Sequence, residues 1–342
     1  MQVRDASPGT QPQAEAGLSI IIVTYNSAAV LPGLLDSLPR GLEGVKSFQI
    51  IVVDNDSGDS SVDLALAHPT QPIVIKMGRN AGYAAAINAA AATVSSDENL
   101  LILNPDVRLL PGAARLLVDC LTDSSVGVAV PRILTESGST YWSLRREPSI
   151  MTGWTGAILG GDLAARIGMG EAIGDPATYE RACLVEWATG AILAVAARAR
   201  RVVGDWDESF FLYMEEVEYL RRVRECGFSV AYVPDARAVH IGREHRETPR
   251  LAALMTANRI RYYRRYHGPL SAALFRLSII VGESMRAVRG PGHRAALRAA
   301  ITRWRMPAEY LPNPPGRHDG RDASQTFTKP AQSASAIGSE WR

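Results

Sequence analysis

Two adjacent carboxylates, Glu215 and Glu216, open the amphipathic stretch EEVEYLRRVREC, directly after the aromatic run FFLYM. Neighbouring carboxylates in apolar surroundings raise at least one pKa, which suits a general base. Acids at a helix start are equally well explained by the helix dipole, and residue types leave both readings standing. A strand-like run after this stretch ends on His240. Upstream, VVDNDSGD (52–59) and LNPD (103–106) each close an apolar run with polar groups. Asp106 and a distant imidazole, His240, would suffice for a hard divalent cation on a diphosphate, since phosphate oxygens and water complete its shell. A hydrogen bond at a strand end is the other use for His240.

The elements that must position these groups are legible from apolar periodicity. Strands are expected over 18–25, 49–54, 73–77, 99–104 and 126–131, and helices over 28–38, 60–67, 83–94 and 113–121. That alternation predicts βαβ units and an α/β fold with a largely parallel sheet. Ligands of open α/β sheets sit beyond the carboxyl ends of the strands. Thr24-Tyr25-Asn26, Asp54-Asn55-Asp56 and Asn104-Pro105-Asp106 all fall there. Each alone is a plausible helix cap or Asx-turn; three at successive strand ends point to a ligand edge. The first turn, TYNSA, has no glycine, which argues against a dinucleotide-binding GxGxxG site. In GRNAGYAAAIN (78–88), Gly82 permits close backbone approach and the following helix start offers N–H groups to a polar ligand, although an Ala-rich helix is also simply one that packs tightly.

The pattern loosens over 134–183, expected as hairpin and irregular structure. Order returns at 184–195, in a helix over 215–226, and in strands at 229–233 and 238–240. Residues 258–305 read as helical, with breaks at Gly268-Pro269 and Gly290-Pro291. Residues 1–17 and 312–342 are rich in Pro, Gly, Ser and Gln and are expected to be disordered. The first segment has no apolar core and does not read as a signal peptide. No run of about 20 apolar residues predicts a membrane span. The chain of 342 residues carries a net charge of +2, which gives no general attraction to nucleic acid. Between Arg259 and Arg305, however, arginines recur and Glu283 is the only acid, so that region carries a local positive field. Three scattered cysteines, Cys120, Cys183 and Cys226, lack metal-ligand spacing and read as buried thiols of a reducing cytosol.

SIIIVTYNS, IIVVDNDSGDSS, GRNAGYAAAIN, LILNPDV, WATGAILAVAARA and GDWDESFFLYMEEVEYLRRVRECGFSVAYVPDARAVH resemble, in this order, the motifs of family 2 glycosyltransferases. Within that family they are most similar to the bacterial rhamnosyltransferase-like branch, over about residues 18–265. The resemblance implies a GT-A fold, a Rossmann-like and mostly parallel sheet flanked by helices. A nucleotide-binding half (18–131) and an acceptor and catalytic half (132–257) would precede a basic helical region (258–311). It also implies inverting transfer from a nucleotide-diphosphate sugar with Mg²⁺ or Mn²⁺. Thr24, Tyr25 and Asn26 would border the nucleotide, Asp54 would hydrogen-bond the base, and Asn80 and Gly82 would line its pocket. Asn104 and Asp106 stand at the Asp-x-Asp position, with Asp106 on the metal and His240 as second ligand. Gly190 and Ala191 would frame the sugar, Glu216 would be the base, and Glu215 would orient the acceptor hydroxyl. Three departures stand out: Asn104 replaces the first acid, Glu215-Glu216 replaces Glu-Asp, and Asp205 occupies a position where glycine is common.

The expected donor is dTDP-L-rhamnose, with UDP-galactofuranose or another UDP-hexose as the alternative. The acceptor would be a cell-envelope glycan or a polyprenyl-diphosphate-linked saccharide. A non-catalytic nucleotide-sugar-binding module is the rival of another class. Arg145 and Arg146, beside Tyr141 and Trp142, would suit an anionic acceptor, or form a solvated charge pair. Leu270, Leu274, Leu277, Val281, Met285 and Val288 form a helical stripe near Arg276, Arg286 and Arg289. Such a helix lies on an anionic inner-leaflet membrane surface, placing the protein in the cytoplasm as a peripheral membrane enzyme; it serves equally for packing on the catalytic domain or in a homo-oligomer.

Overall fold

The computed structural model describes residues 17–242 and 248–302. The two tails and residues 303–311 of the helical region lie outside them, apart from Gly17. The first half runs β1 (Leu18–Thr24), α1 (Leu31–Gly41), β2 (Phe48–Asp54), α2 (Ser61–Ala67), β3 (Ile73–Lys76), α3 (Tyr83–Ala91) and β4 (Asn99–Leu103). Strands β3, β2, β1 and β4 pair side by side in parallel. β1 is buried along its whole length because it has a strand on either side and helices above and below. Alternation divides the sheet between two cores. Ile20, Ile22, Val52, Leu101 and Leu103 face α1, whose Leu31, Leu34, Leu35 and Leu38 recur at helical spacing with no exposure. Each such leucine contributes about 1.5–3 kcal/mol by leaving water. Ile21, Val23, Ile51, Val53 and Ile102 face α3 on the other side.

The chain continues through β5 (Val107–Leu109), α4 (Ala113–Cys120), β6 (Val126–Leu134), β7 (Leu144–Arg145), α5 (Ile150–Leu159), α6 (Gly161–Arg166), β8 (Cys183–Val185), β9 (Trp187–Ala188), β10 (Ile192–Val195), α7 (Ala197–Val203), α8 (Glu215–Glu225) and β11 (Ser229–His240). β10 inserts antiparallel between β4 and β6, giving the order β3-β2-β1-β4-β10-β6-β11-β5. β11 is one strand where the sequence suggested two. Its register on β6 shifts between Val233 and Arg237, and beyond that shift its end pairs with β5, placing His240 opposite Val107.

Other differences from expectation have local causes. Residues 150–166 are helical rather than irregular: Ser149 and Thr152 form a capping box that starts α5, a signal hidden by its glycines. α9 (Pro249–Tyr266) begins before residue 258, so that expected border falls inside a helix; α10 (Pro269–Arg286) and α11 (Pro291–Ile301) follow, each opening at its proline. The cysteines are not buried thiols. All are free; Cys120 and Cys183 are half-buried and Cys226, just past α8, is exposed. No helix among the described residues is long and apolar enough to cross a membrane.

Candidate active site

Loops at the carboxyl ends of β1 and β2 are stitched together by side chains. Thr24 Oγ1 donates to Asp54 Oδ1 at 2.9 Å, while Ser57 donates through Oγ to Oδ1 (2.6 Å) and through its N–H to Oδ2 (2.9 Å). Asp54 is therefore buried and tied to protein on both oxygens. Asn26, at φ 50°, accepts from the Gly58 N–H, and its own N–H donates to Ser57 Oγ. Tyr25 is left projecting, 53% exposed, as the ring available to a flat ligand. Buried Asn55 reaches the next loop, donating to the Gly82 carbonyl (3.1 Å) and accepting from the Ala81 N–H (3.4 Å). Asn80 closes an Asx-turn by accepting from the Gly82 N–H.

Gly82 has a reason beyond ligand approach. At φ 93° a Cβ there would lie 2.4 Å from the Phe211 carbonyl oxygen. That carbonyl accepts from the Tyr83 N–H at 2.8 Å. The Tyr83 N–H expected for a ligand is thus spent on the loop that precedes the paired glutamates.

Asp106 and His240 meet because β5 folds back onto the end of β11. The Ile241 N–H donates to the Asp106 carbonyl (2.9 Å), and His240 Nε2 lies 3.1 Å from Asp106 Oδ1. A Cβ on Gly242 would fall 1.9 Å from Asp106 Oδ2 and 3.3 Å from His240 Nε2. Glycine thus keeps open the space that the carboxylate and imidazole share. One carboxylate plus one imidazole, with room beside them, fits a divalent cation whose remaining ligands are phosphate and water. No group of three or more acidic, His or Cys side chains with metal-binding geometry occurs among the described residues. Asn104 is fixed through its N–H to the Ala191 carbonyl (2.9 Å), which sets the Gly190-Ala191 turn against the NPD turn.

Glu215 and Glu216 follow a contorted loop. Phe211, Tyr213 and Met214 all have positive φ (63°, 69° and 75°). Each costs of order 1–3 kcal/mol and persists only where surrounding contacts enforce it. Glu215 is 4% exposed, and both glutamates keep a buried Oε2 with no hydrogen-bond partner. Burial, then the charge of Glu216, pushes the Glu215 carboxyl well above its ordinary range. Burial also raises Glu216, but backbone N–H groups at the start of α8 and the guanidinium of Arg145 pull the other way. Glu216 is therefore the member that ionises more readily, and Glu215 the one that keeps its proton. Gly190 touches Glu216: a Cβ there would lie 3.3 Å from Glu216 Cβ. Tyr83 joins the groups. Its hydroxyl donates weakly to the Gly190 carbonyl (3.4 Å) and is pushed well above its ordinary range by burial and then by Glu215, Glu216 and Asp106.

Arg145, the last residue of β7, and Arg146, just past it, point to different partners. Arg145 crosses above Trp187, 5.9 Å from the ring centre, and acts on Glu216. Arg146 Nη1 instead donates to the Gly170 carbonyl (2.9 Å), and its own carbonyl accepts from Trp187 Nε1. The two guanidiniums therefore do not form one cluster: Arg145 lies toward Glu216 and Arg146 toward Gly170. Sequence reasoning missed Tyr83 and Gly242. The motif GRNAGY contained Tyr83, but nothing in the order of residues marks Gly242.

Residues 19–185 match the family model described as glycosyl transferase family 2. The N-acetylglucosaminyl-diphospho-decaprenol L-rhamnosyltransferase of Mycobacterium tuberculosis is 29% identical over 234 residues, 65% of this chain and 75% of that protein. Among solved structures, GalNAc-T7 with UDP, GalNAc and Mn²⁺ superposes with a TM-score of 0.55 at 15% identity, covering 80% of this chain and 51% of that one. The mannosyltransferase PcManGT of Pyrobaculum calidifontis, with GDP-Man and Mn²⁺, gives 0.50 at 15% identity, covering 89% and 84%. These likenesses show a GT-A fold.

Proposed function

The chain is a family 2 glycosyltransferase, and from that premise we propose an inverting transfer in which Glu216 is the general base. The observation that carries this is the environment of the glutamate pair: a buried Glu215 and a half-buried Glu216, each with a buried, unpartnered Oε2, pushed apart in proton affinity, with Glu216 against Gly190 and both within electrostatic reach of Tyr83. Glu216 takes the proton of an acceptor hydroxyl as its oxygen attacks the anomeric carbon from the face opposite the diphosphate. The new C–O bond forms while the bond to the diphosphate oxygen breaks, so configuration inverts. Protonated Glu215 donates a hydrogen bond that orients the hydroxyl. Asp106 and His240 would hold a divalent cation, Mg²⁺ or Mn²⁺, whose chemistry is to offset the charge of the departing diphosphate. Thr24, Asn26, Asp54 and Asn80 shape the nucleotide rim, with Tyr25 as the exposed ring for the base. Gly190 and Ala191 frame the sugar beside Asn104.

The donor we favour is dTDP-L-rhamnose and the acceptor a lipid-diphosphate-linked saccharide. Support comes from the mycobacterial relative's L-rhamnosyl transfer to N-acetylglucosaminyl-diphospho-decaprenol. Arg145, beside Glu216, is the cation suited to the acceptor's diphosphate. A lipid-borne acceptor asks for a membrane surface, and α10 with the turn that follows it offers one: Leu270, Leu277 and Met285 on the helix and Val288 just past it are exposed, Val288 to 90%. Arg289 adds exposed charge there, whereas Arg276 and Arg286 turn inward to donate to carbonyls of Ala300 and Gly156. The protein is read as peripheral on the inner, anionic leaflet.

The deciding experiment pairs calorimetric titration with dTDP, UDP and GDP, with and without Mn²⁺, and a transfer assay. The assay offers dTDP-L-rhamnose, UDP-galactofuranose and UDP-hexoses to a short-chain N-acetylglucosaminyl-diphosphoryl polyprenol. Glu216→Gln is expected to lower turnover by roughly 10²–10⁴ while nucleotide binding survives. Normal transfer by that variant would refute the base assignment, and binding of UDP in preference to dTDP would redirect the donor.

A further inference from the structure

The loop before Glu215 carries three of the six non-glycine residues with positive φ among the described residues. Such backbone cannot pair in a helix or strand, so its carbonyls need partners from elsewhere. Two elements supply them. Tyr83 at the start of α3 donates its N–H to the Phe211 carbonyl. Asn258, on α9 and 2% exposed, places Nδ2 at 2.7 Å from the Phe210 carbonyl, 2.9 Å from Leu212 and 3.2 Å from Tyr213. Four consecutive carbonyls, 210 to 213, are thus held, three of them by one amide. Asparagine is a poor helix former, and at this point its short, neutral NH₂ group meets converging oxygens that a carboxylate would repel and an aliphatic chain would leave unpaired. Arg261, one turn of α9 further on, grips the preceding turn through Ser209 Oγ at 2.7 Å.

We infer that Asn258 is a positioning residue for the reaction: its amide locks the left-handed 211–214 loop so that buried Glu215 and half-buried Glu216 enter the site correctly placed. The inference deepens the reading of Glu216 as the base and rests on it. A displacement of about 1 Å in a reacting group costs on the order of 10²-fold in rate. A loosened loop also admits water to the glutamates, which lowers a pKa raised by burial.

The test compares Asn258→Leu, Asn258→Ser and Glu216→Gln in the full chain, using whichever donor of the panel the unaltered enzyme turns over. Asn258→Leu is expected to lower kcat by about 10–100-fold without weakening nucleoside diphosphate binding. The rising limb of its pH profile moves to lower pH, and amide exchange accelerates within 208–216 and not across the sheet. Asn258→Ser, which keeps one donor, falls between, and it decides by the same readouts if the leucine variant does not fold. Unaltered kcat and pH limb in a folded variant would overturn the inference while leaving Glu216 as base. So would exchange that accelerates throughout the chain together with loss of nucleotide binding, since that marks a packing residue only. Undiminished transfer by Glu216→Gln would remove the base assignment, and the inference with it.

Discussion

Replacing Gly242 by alanine is the sharpest probe of the Asp106–His240 pair. The backbone at Gly242 is not in the left-handed region, so alanine brings no conformational penalty, only a methyl group. That methyl would sit 1.9 Å from Asp106 Oδ2 and 3.1 Å from its Cγ. A close carbon–oxygen contact is about 3.3 Å, so the carboxylate oxygen must retreat by about 1.4 Å. The carboxylate is the far end of a rotatable side chain, and it can swing away without disturbing β5 or β11. Metal–ligand distances, by contrast, tolerate about 0.2 Å. The variant should fold with an unaltered Tm yet need about 10–100-fold more Mn²⁺ for half-maximal activity, the scale of a misplaced ligand shell, equivalent to about 1.4–2.8 kcal/mol. The assay is turnover against Mn²⁺ concentration, with calorimetry of nucleoside diphosphate binding at each metal level. An unchanged metal requirement at unaltered turnover would refute the assignment of Asp106 and His240 as the cation's ligands.

Glu215 carries a signed pH prediction. Its folded pKa is raised, so its neutral form contributes stability that is complete below the unfolded carboxylate pKa and is lost as pH rises through the folded value. Glu215→Gln should therefore melt higher than the unaltered chain at pH 8 and gain little at pH 4; each tenfold in its ionisation constant is worth about 1.4 kcal/mol. Melting curves that shift equally at both pH values would contradict burial as the cause. Gly156, within α5 and with open space at its Cβ position, should accept alanine with a gain of about 0.5–1 kcal/mol, read by urea denaturation; destabilisation would show that α5 packs more tightly than described. Leu270→Glu with Leu277→Glu should abolish co-flotation with vesicles containing anionic lipid while leaving nucleotide binding intact, and undiminished flotation would move membrane contact elsewhere. Cys226, exposed, should react with a thiol reagent in the native protein well before Cys120 and Cys183.

The sequence alone carried the parallel sheet, because buried strands read as unbroken apolar runs between helices of four-leucine periodicity such as Leu31, Leu34, Leu35 and Leu38. It also carried the polar clusters at the strand ends, because Asp, Asn and Thr interrupt those runs abruptly. Residues 150–166 escaped because their glycines mask a helix held by capping and by packing on α10, where Gly153 and Gly282 allow close approach. The paired glutamates were visible as a motif, yet motif and dipole readings were equal until burial, Arg145 and the helix start separated Glu215 from Glu216. Arg145 and Arg146 looked like one charge pair until the fold gave them separate partners, Glu216 for one and the Gly170 carbonyl for the other. Tertiary structure alone could choose Gly242 and Asn258. One matters for the side chain it lacks, the other for three carbonyls that only a left-handed loop, nearly fifty residues earlier in the chain, turns toward a single amide. Local periodicity records which face of an element is apolar; it holds no record of which backbone oxygens will be left without partners when elements meet.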